Sequence, residues 1–179
     1  MKPFEHHRTD IKYSGRVLEL RCDQVTTDRD HKVDYEYIFY PNVVVVLGLT
    51  TDQNIIMIRQ YRPAIRRFLL ELPAGKMDPN EDPLAAAQRE FEEETGYVAQ
   101  KWTRLSEFYS APGFCTEYLY LYLAEGLTQT ATHFDEDESI ETDLIPLTKI
   151  DALLNDMHVI DAKSLIGLYW AKSNLATRG

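Results

Sequence analysis

Residues 75–97 read GKMDPNEDPLAAAQREFEEETGY, and no other stretch constrains the chain so tightly. Asp82 has the side chain of a helix N-cap, and Pro83 suits the first helical position. Residues 84–95 are rich in Ala, Glu, Gln and Arg, all strong helix formers. Gly96 is placed to end the helix as its C′ residue. On that helix Glu90, Glu93 and Glu94 fall at i, i+3 and i+4, so three carboxylates share one face. Leu84, Ala87 and Phe91 share the opposite face and can bury against a sheet. Like charges at this spacing repel by about 0.2–0.5 kcal/mol per pair, a cost that a divalent cation turns into a gain. Oxygen ligands without sulfur or imidazole select Mg2+, with Mn2+ as the alternative, over zinc. Taken alone, the three glutamates fit a solvated acidic face better than a metal site.

The flanking sequence predicts the layers around this helix. RVLELRCDQV (16–25) alternates in the manner of a half-buried strand, TDRDHK (27–32) is a polar turn, and YEYIFY (35–40) is a second strand, together a hairpin. The β-branched run Val43–Leu49 fits a strand covered on both faces. Strands are further expected at 55–60, 68–72, 102–109, 118–124 and 140–147, and helices at 148–156 and 162–174. The class is α+β: a mixed or mostly antiparallel sheet with helices against it. The chain has 179 residues and no repeat or Gly/Ser-rich linker, so one continuous domain is expected, with its main body over 42–179 preceded by a hairpin extension over 1–41.

Composition excludes several functions. A net charge of −10 repels polyphosphate backbones, so no nucleic-acid partner is expected. The two cysteines, Cys22 and Cys115, have no CxxC spacing, which argues against a disulfide framework or zinc site. The start MKPFEHHRTD lacks an apolar signal core, and no stretch approaches the roughly 18 apolar residues of a membrane span. A cytoplasmic protein without membrane association is expected. His6, His7 and His158 lack ligand spacing.

Gly75, Glu81, Arg89, Glu90, Phe91, Glu93, Glu94 and Gly96 match the Nudix box: G, five residues, E, seven residues, then REUxEExG with U apolar. Tyr97 fills the last apolar position imperfectly. The chain therefore resembles the Nudix hydrolase superfamily. The resemblance implies an α/β/α sandwich, with Glu90 and Glu94 as the main metal ligands and Glu93 and the Ala74 carbonyl beside them. It also implies a structural ion pair between Glu81 and Arg89.

The resemblance extends beyond the box. LLELPAGK, SAPGF (110–114) and the final IDAKSLIGLYW are similar to the ADP-ribose pyrophosphatase and nucleoside diphosphate sugar hydrolase branch. Pro112, sixteen residues past Gly96, matches that branch's marker proline, with Gly113 and Glu117 in the same substrate loop. In DEDESIE (135–141), Glu138 best matches the glutamate that activates water in similar enzymes; Glu136 is the alternative, and Glu93 a further one. Arg62, in IRQYRP, matches an arginine that contacts phosphate, with Arg59 beside it, whereas Arg66 and Arg67 read as surface charge. Asp34 and Tyr35 stand where many relatives carry basic residues. Tyr35, Tyr37 or Phe39 offers a face for a base to stack on, and equally suits an ordinary strand. That departure leaves the base and sugar open.

The implied activity is hydrolysis of the pyrophosphate bond of ADP-ribose or a related nucleoside diphosphate sugar, with ADP-ribose giving AMP and ribose 5-phosphate. The competing readings are a GDP- or UDP-sugar or dinucleotide substrate, and a Nudix module that binds ADP-ribose without cleaving it. The resemblance also implies a homodimer that exchanges the N-terminal hairpin.

Overall fold

A computed structural model of the protein describes residues 2–130, 140–155, 159 and 161–175. The chain divides into two compact units: residues 1–42 with 109–118, and residues 43–108 with 119–179.

The first unit is built on a three-stranded antiparallel sheet in the order β1 (Glu5–Ser14), β2 (Glu19–Thr26), β3 (Lys32–Phe39). The expected β2–β3 hairpin is present, with Cys22 opposite Glu36 and Val25 opposite Val33. A third strand, β1, extends it through an antiparallel ladder from Glu5 opposite Thr26 to Ser14 opposite Glu19. No pattern of apolar residues announces β1: its ten residues, EHHRTDIKYS, are almost entirely exposed. The segment 109–118 joins this unit through a parallel bridge between Ile38 and Cys115 and a hydrogen bond from Thr116 N to Ile38 O at 2.9 Å.

The second unit carries a mixed sheet. Its path runs β10 (Ile140–Pro146), β5 (Asn54–Arg62), β4 (Val43–Leu49), β9 (Tyr118–Gln129), β8 (Tyr97–Tyr109). β6 (Arg67–Glu71) pairs with β5, and β7 (Ala74–Lys76) with β4. β4 and β9 run parallel in register from Val43 opposite Leu119 to Leu49 opposite Glu125, and the β5 pairings are antiparallel. All seven residues of β4 are buried, as its unbroken apolar run predicts.

Successive residues of β4 and β9 face opposite sides, and each side receives a helix. On one side Val44, Val46, Tyr122 and Ala124 form a core with Ala86, Ala87 and Phe91 of α1 (Pro83–Thr95). Phe91 is fully buried and meets Trp102 edge-on at 5.9 Å between ring centres. On the other side Gly167 of α3 (Ala162–Asn174) abuts Leu72 and Leu121. The expected α/β/α layering follows. A 3-10 turn (Leu147–Lys149) leads into α2 (Ile150–Asn155), so regular helix begins two residues later than the sequence implies. β8 starts at Tyr97 and β9 runs to Gln129, both longer than their apolar patterns indicate, because backbone pairing continues where one face turns polar.

Candidate active site

Local chemistry fixes α1 at both ends. Asp82 Oδ1 accepts from Leu84 N at 2.9 Å and Ala85 N at 3.2 Å, and Pro83 opens the first turn. Gly96 closes the helix with φ 68° and ψ 28°, a left-handed conformation in which a side chain is strained, and its N–H reaches Glu92 O at 2.8 Å. With Phe91 anchored in the core, the acidic face of α1 is turned toward β7.

Two carboxylates converge on the Ala74–Gly75 backbone. Glu94 is 3% exposed, and its Oε2 accepts from Ala74 N at 2.9 Å. Glu90 is packed so closely on Gly75 that a Cβ there would lie 1.9 Å from its Cδ. Gly75 is therefore required for close approach. Arg89 organises the rest. Its guanidinium forks onto Glu81 at 3.0 and 2.9 Å, and Nη1 donates to Glu90 Oε1 at 2.8 Å and Glu93 Oε2 at 3.1 Å. Nη2 also reaches Lys76 O at 3.1 Å. The Glu81–Arg89 pair thus ties the loop before α1 to the helix. The bonds from Arg89 hold the Glu81 carboxyl below the ordinary range; bonding to Glu81 raises Arg89 further above its already high value.

One guanidinium serves three carboxylates here, so negative charge is in excess beside two backbone residues. Hard oxygen donors with excess charge fit a divalent cation of the Mg2+ type. Among the described residues no three His, Cys, Asp or Glu side chains form a ready-made cage. Glu93, with its side chain 41% exposed, is drawn to Arg89. A site of this kind relies on few carboxylates and takes its remaining oxygens from water and substrate.

A second charged group lies at the end of β6. Glu71 is 1% exposed and receives Arg62 through Nε at 2.8 Å and Nη2 at 2.6 Å, with Lys163 Nζ bonded to the same carboxylate. Burial alone pushes the Glu71 carboxyl up; the Arg62 bonds and the Lys163 charge outweigh it and hold the group below the ordinary range. Arg62 is correspondingly raised by its bonds to Glu71. Glu71, Asp161 and Lys163 stand in no spacing motif of the sequence. The signal available was a carboxylate inside the apolar run FLLELPA. Arg59 makes a longer contact, 3.4 Å from Nη2 to Asp143 Oδ2 across the β5–β10 ladder. Arg66 and Arg67 are exposed at the turn joining β5 to β6.

In the first unit, Tyr35 is 49% exposed and lies 6.0 Å from the Phe4 ring. Tyr37 donates its hydroxyl to Asp23 Oδ1 at 3.3 Å. The Arg21 guanidinium sits 3.5 Å from the Phe39 ring centre, a cation–π contact. Pro112 and Gly113 lie in the turn before the Cys115 bridge, and Glu117 O accepts from Ser110 N at 3.2 Å. Cys22 and Cys115 are free thiols. Glu136 and Glu138, like His158, lie outside the described residues.

The known proteins agree with this architecture. A NUDIX domain profile matches residues 39–166, which is most of the chain. The chain belongs to the NUDIX family. It is 36% identical over 167 residues to a methanol dehydrogenase activator of Bacillus methanolicus, covering 91% of this chain and 89% of that protein. It is also 36% identical over 160 residues to an ADP-ribose pyrophosphatase of Bacillus subtilis (strain 168), covering 88% and 86%. Among solved structures, an ADP compounds hydrolase superposes with a TM-score of 0.88 at 22% identity, covering 100% of this chain and 97% of that one; this likeness concerns the fold.

Proposed function

We propose that the protein is a metal-dependent Nudix pyrophosphohydrolase that cleaves ADP-ribose to AMP and ribose 5-phosphate, or a related nucleoside diphosphate sugar to its nucleoside monophosphate and sugar phosphate. The observation that carries this is the convergence of Glu90 and Glu94 on the Ala74–Gly75 backbone in a chain with an intact box. The similarity to an ADP-ribose pyrophosphatase over most of both chains supports the substrate class.

Glu90, Glu94 and the Ala74 carbonyl would hold Mg2+, with Mn2+ as a substitute and Glu93 as a further ligand. Such an ion polarises a phosphorus centre and lowers the pKa of a bound water. The chain's own groups do the remainder. Glu138 orients the attacking water and takes its proton, with Glu136 and Glu93 as the alternatives. Arg62, its guanidinium plane fixed by Glu71, offsets charge on the phosphate oxygens, with Arg59 alongside. Tyr35 and Tyr37, with Pro112, Gly113 and Glu117, are the candidates for recognising the nucleoside and sugar. Gly75, Gly96, Glu81 and Arg89 are structural supports. The working form is a cytoplasmic homodimer. Among the described residues no helix is long and apolar enough to cross a membrane.

The test is incubation with Mg2+ and a panel of nucleotide sugars, with products identified by chromatography and mass. AMP and ribose 5-phosphate from ADP-ribose, abolished by a chelator, is the expected result. ADP-ribose bound but left intact at every metal concentration contradicts it.

A further inference from the structure

The four residues from Glu71 to Ala74 are each held by a different group of the second unit. Two of those holds come from the first turn of α3. Glu71 receives Lys163 Nζ and the Arg62 fork. Leu72 N donates to Ser164 Oγ at 2.7 Å, and its side chain lies so close to Gly167 that a Cβ there would come within 2.3 Å of Cδ1. Pro73 O accepts from Val46 N at 2.9 Å. Ala74 pairs with Val45 and donates to Glu94.

The α3 end of this chain of bonds is itself anchored. Asp161 Oδ2 accepts from Ser164 N at 3.1 Å, from Ser164 Oγ at 2.7 Å and from Lys163 Nζ at 2.8 Å. The Ser164 hydroxyl therefore gives its proton to Asp161 and its lone pair to Leu72 N. Ser164 is fully buried, and the Lys163 side chain is 11% exposed. Removing one member of a sequestered ion pair costs stability, and the intact pair also fixes the orientation of the groups it joins.

We propose that Lys163 is a positioning residue: joined to Asp161 and Glu71, and acting with Ser164, it fixes the 71–74 segment against Glu94 and the Arg62 guanidinium in plane. The inference rests on the pyrophosphohydrolase reading above and deepens it. The Lys163 ammonium is bonded to Glu71 and Asp161, neither of which is among the groups assigned to the metal. It acts on the backbone that presents Ala74 and on the carboxylate that orients Arg62. Residues that orient metal ligands from outside the ligand shell typically change affinity or activity by roughly 10–100-fold when removed. Lys163 stands one bond further out, so the low end of that range applies.

The experiment compares the full-length chain as wild type, Lys163→Met, Lys163→Arg and Ser164→Ala. Mn2+ affinity is read from the EPR signal of the free ion, kcat and KM from ADP-ribose cleavage in saturating Mg2+, and folding from the cooperativity of the melt. Lys163→Met is expected to bind Mn2+ about tenfold more weakly and to lose about tenfold in kcat, with KM nearly unchanged. Lys163→Arg restores most of both. Ser164→Ala, which keeps every charge, shows the same loss in smaller measure and stands in for Lys163→Met if that variant does not fold. Wild-type Mn2+ affinity and kcat in the Lys163→Met and Ser164→Ala proteins, with only a lowered melting temperature, overturn the positioning role alone. A wild-type protein that neither binds Mn2+ nor cleaves any nucleotide sugar overturns the parent reading, and the positioning role with it.

Discussion

Replacing Gly75 by alanine separates the site from the fold with a single methyl group. The added Cβ would lie 1.9 Å from both Cδ and Oε2 of Glu90 and 2.4 Å from Oε1. Ordinary contact begins at 3.4 Å, so the carboxylate must retreat by about 1.5 Å. The atoms displaced are the far end of a flexible side chain, and Gly75 has no left-handed backbone that alanine would strain. Folding should therefore be nearly unaffected, with Tm within about 2 °C of wild type. The site cannot absorb the shift. Metal–ligand distances tolerate only about 0.2 Å, and misplacing a catalytic group by about 1 Å costs on the order of a hundredfold. kcat/KM for ADP-ribose in Mg2+ should fall at least about a hundredfold, or about 2.7 kcal/mol of transition-state stabilisation. Steady-state cleavage, with a thermal melt on the same sample, measures both. A folded Gly75→Ala protein with kcat/KM within about threefold of wild type refutes the view that Glu90 must rest on Gly75 to act.

Other perturbations test neighbouring parts. Glu94→Gln keeps an acceptor for Ala74 N but removes the charge, so kcat should drop by about two orders of magnitude or more with little change in melting; full activity excludes Glu94 as a ligand. Asp82→Ala removes the acceptor for Leu84 N and Ala85 N and should cost about 1 kcal/mol, a fall of about 2–4 °C in Tm, whereas an unchanged Tm would show that the cap is dispensable. Glu71 and Glu81 both titrate below their ordinary value of 4.5 in the fold. Their stabilisation is complete above that pH and drains as pH falls through the lowered values. Urea midpoints should decline from about pH 5 downward, less steeply in Glu81→Gln; parallel curves for the two proteins would remove Glu81 from this effect.

What could be read from the sequence was what is determined locally. Asp82, Pro83 and Gly96 delimit α1 by cap chemistry that acts within a few residues, and the structure places each in that role. The unbroken apolar run of β4 requires cover on both faces and receives it. β1 escaped because its residues remain almost entirely exposed: only its pairing with β2 makes it a strand, and pairing leaves no hydrophobic period. β7 is three residues long, too short to show any period, and exists through its ladder with Val43, Val44 and Val45.

Within the site, the spacing of Glu90, Glu93 and Glu94 revealed the acidic face but not how each carboxylate is used. Arg89 draws Glu93 aside, while Glu94 turns inward to Ala74 N. Nor could spacing reveal the tie between Glu71 and Lys163, which are 92 residues apart in the chain. A charged residue within an apolar run hints that a partner must exist; only the fold brings that partner from α3.

Glu90 and Glu94 are expected to hold a divalent cation against Ala74. A crystal grown with Mn2+ and a non-hydrolysable ADP-ribose analogue, with data collected at the manganese absorption edge, tests it most directly. Anomalous peaks about 2.0–2.3 Å from the Glu90 and Glu94 carboxylates and the Ala74 carbonyl are the predicted result. A bound analogue whose metal peaks lie away from all three groups would contradict it.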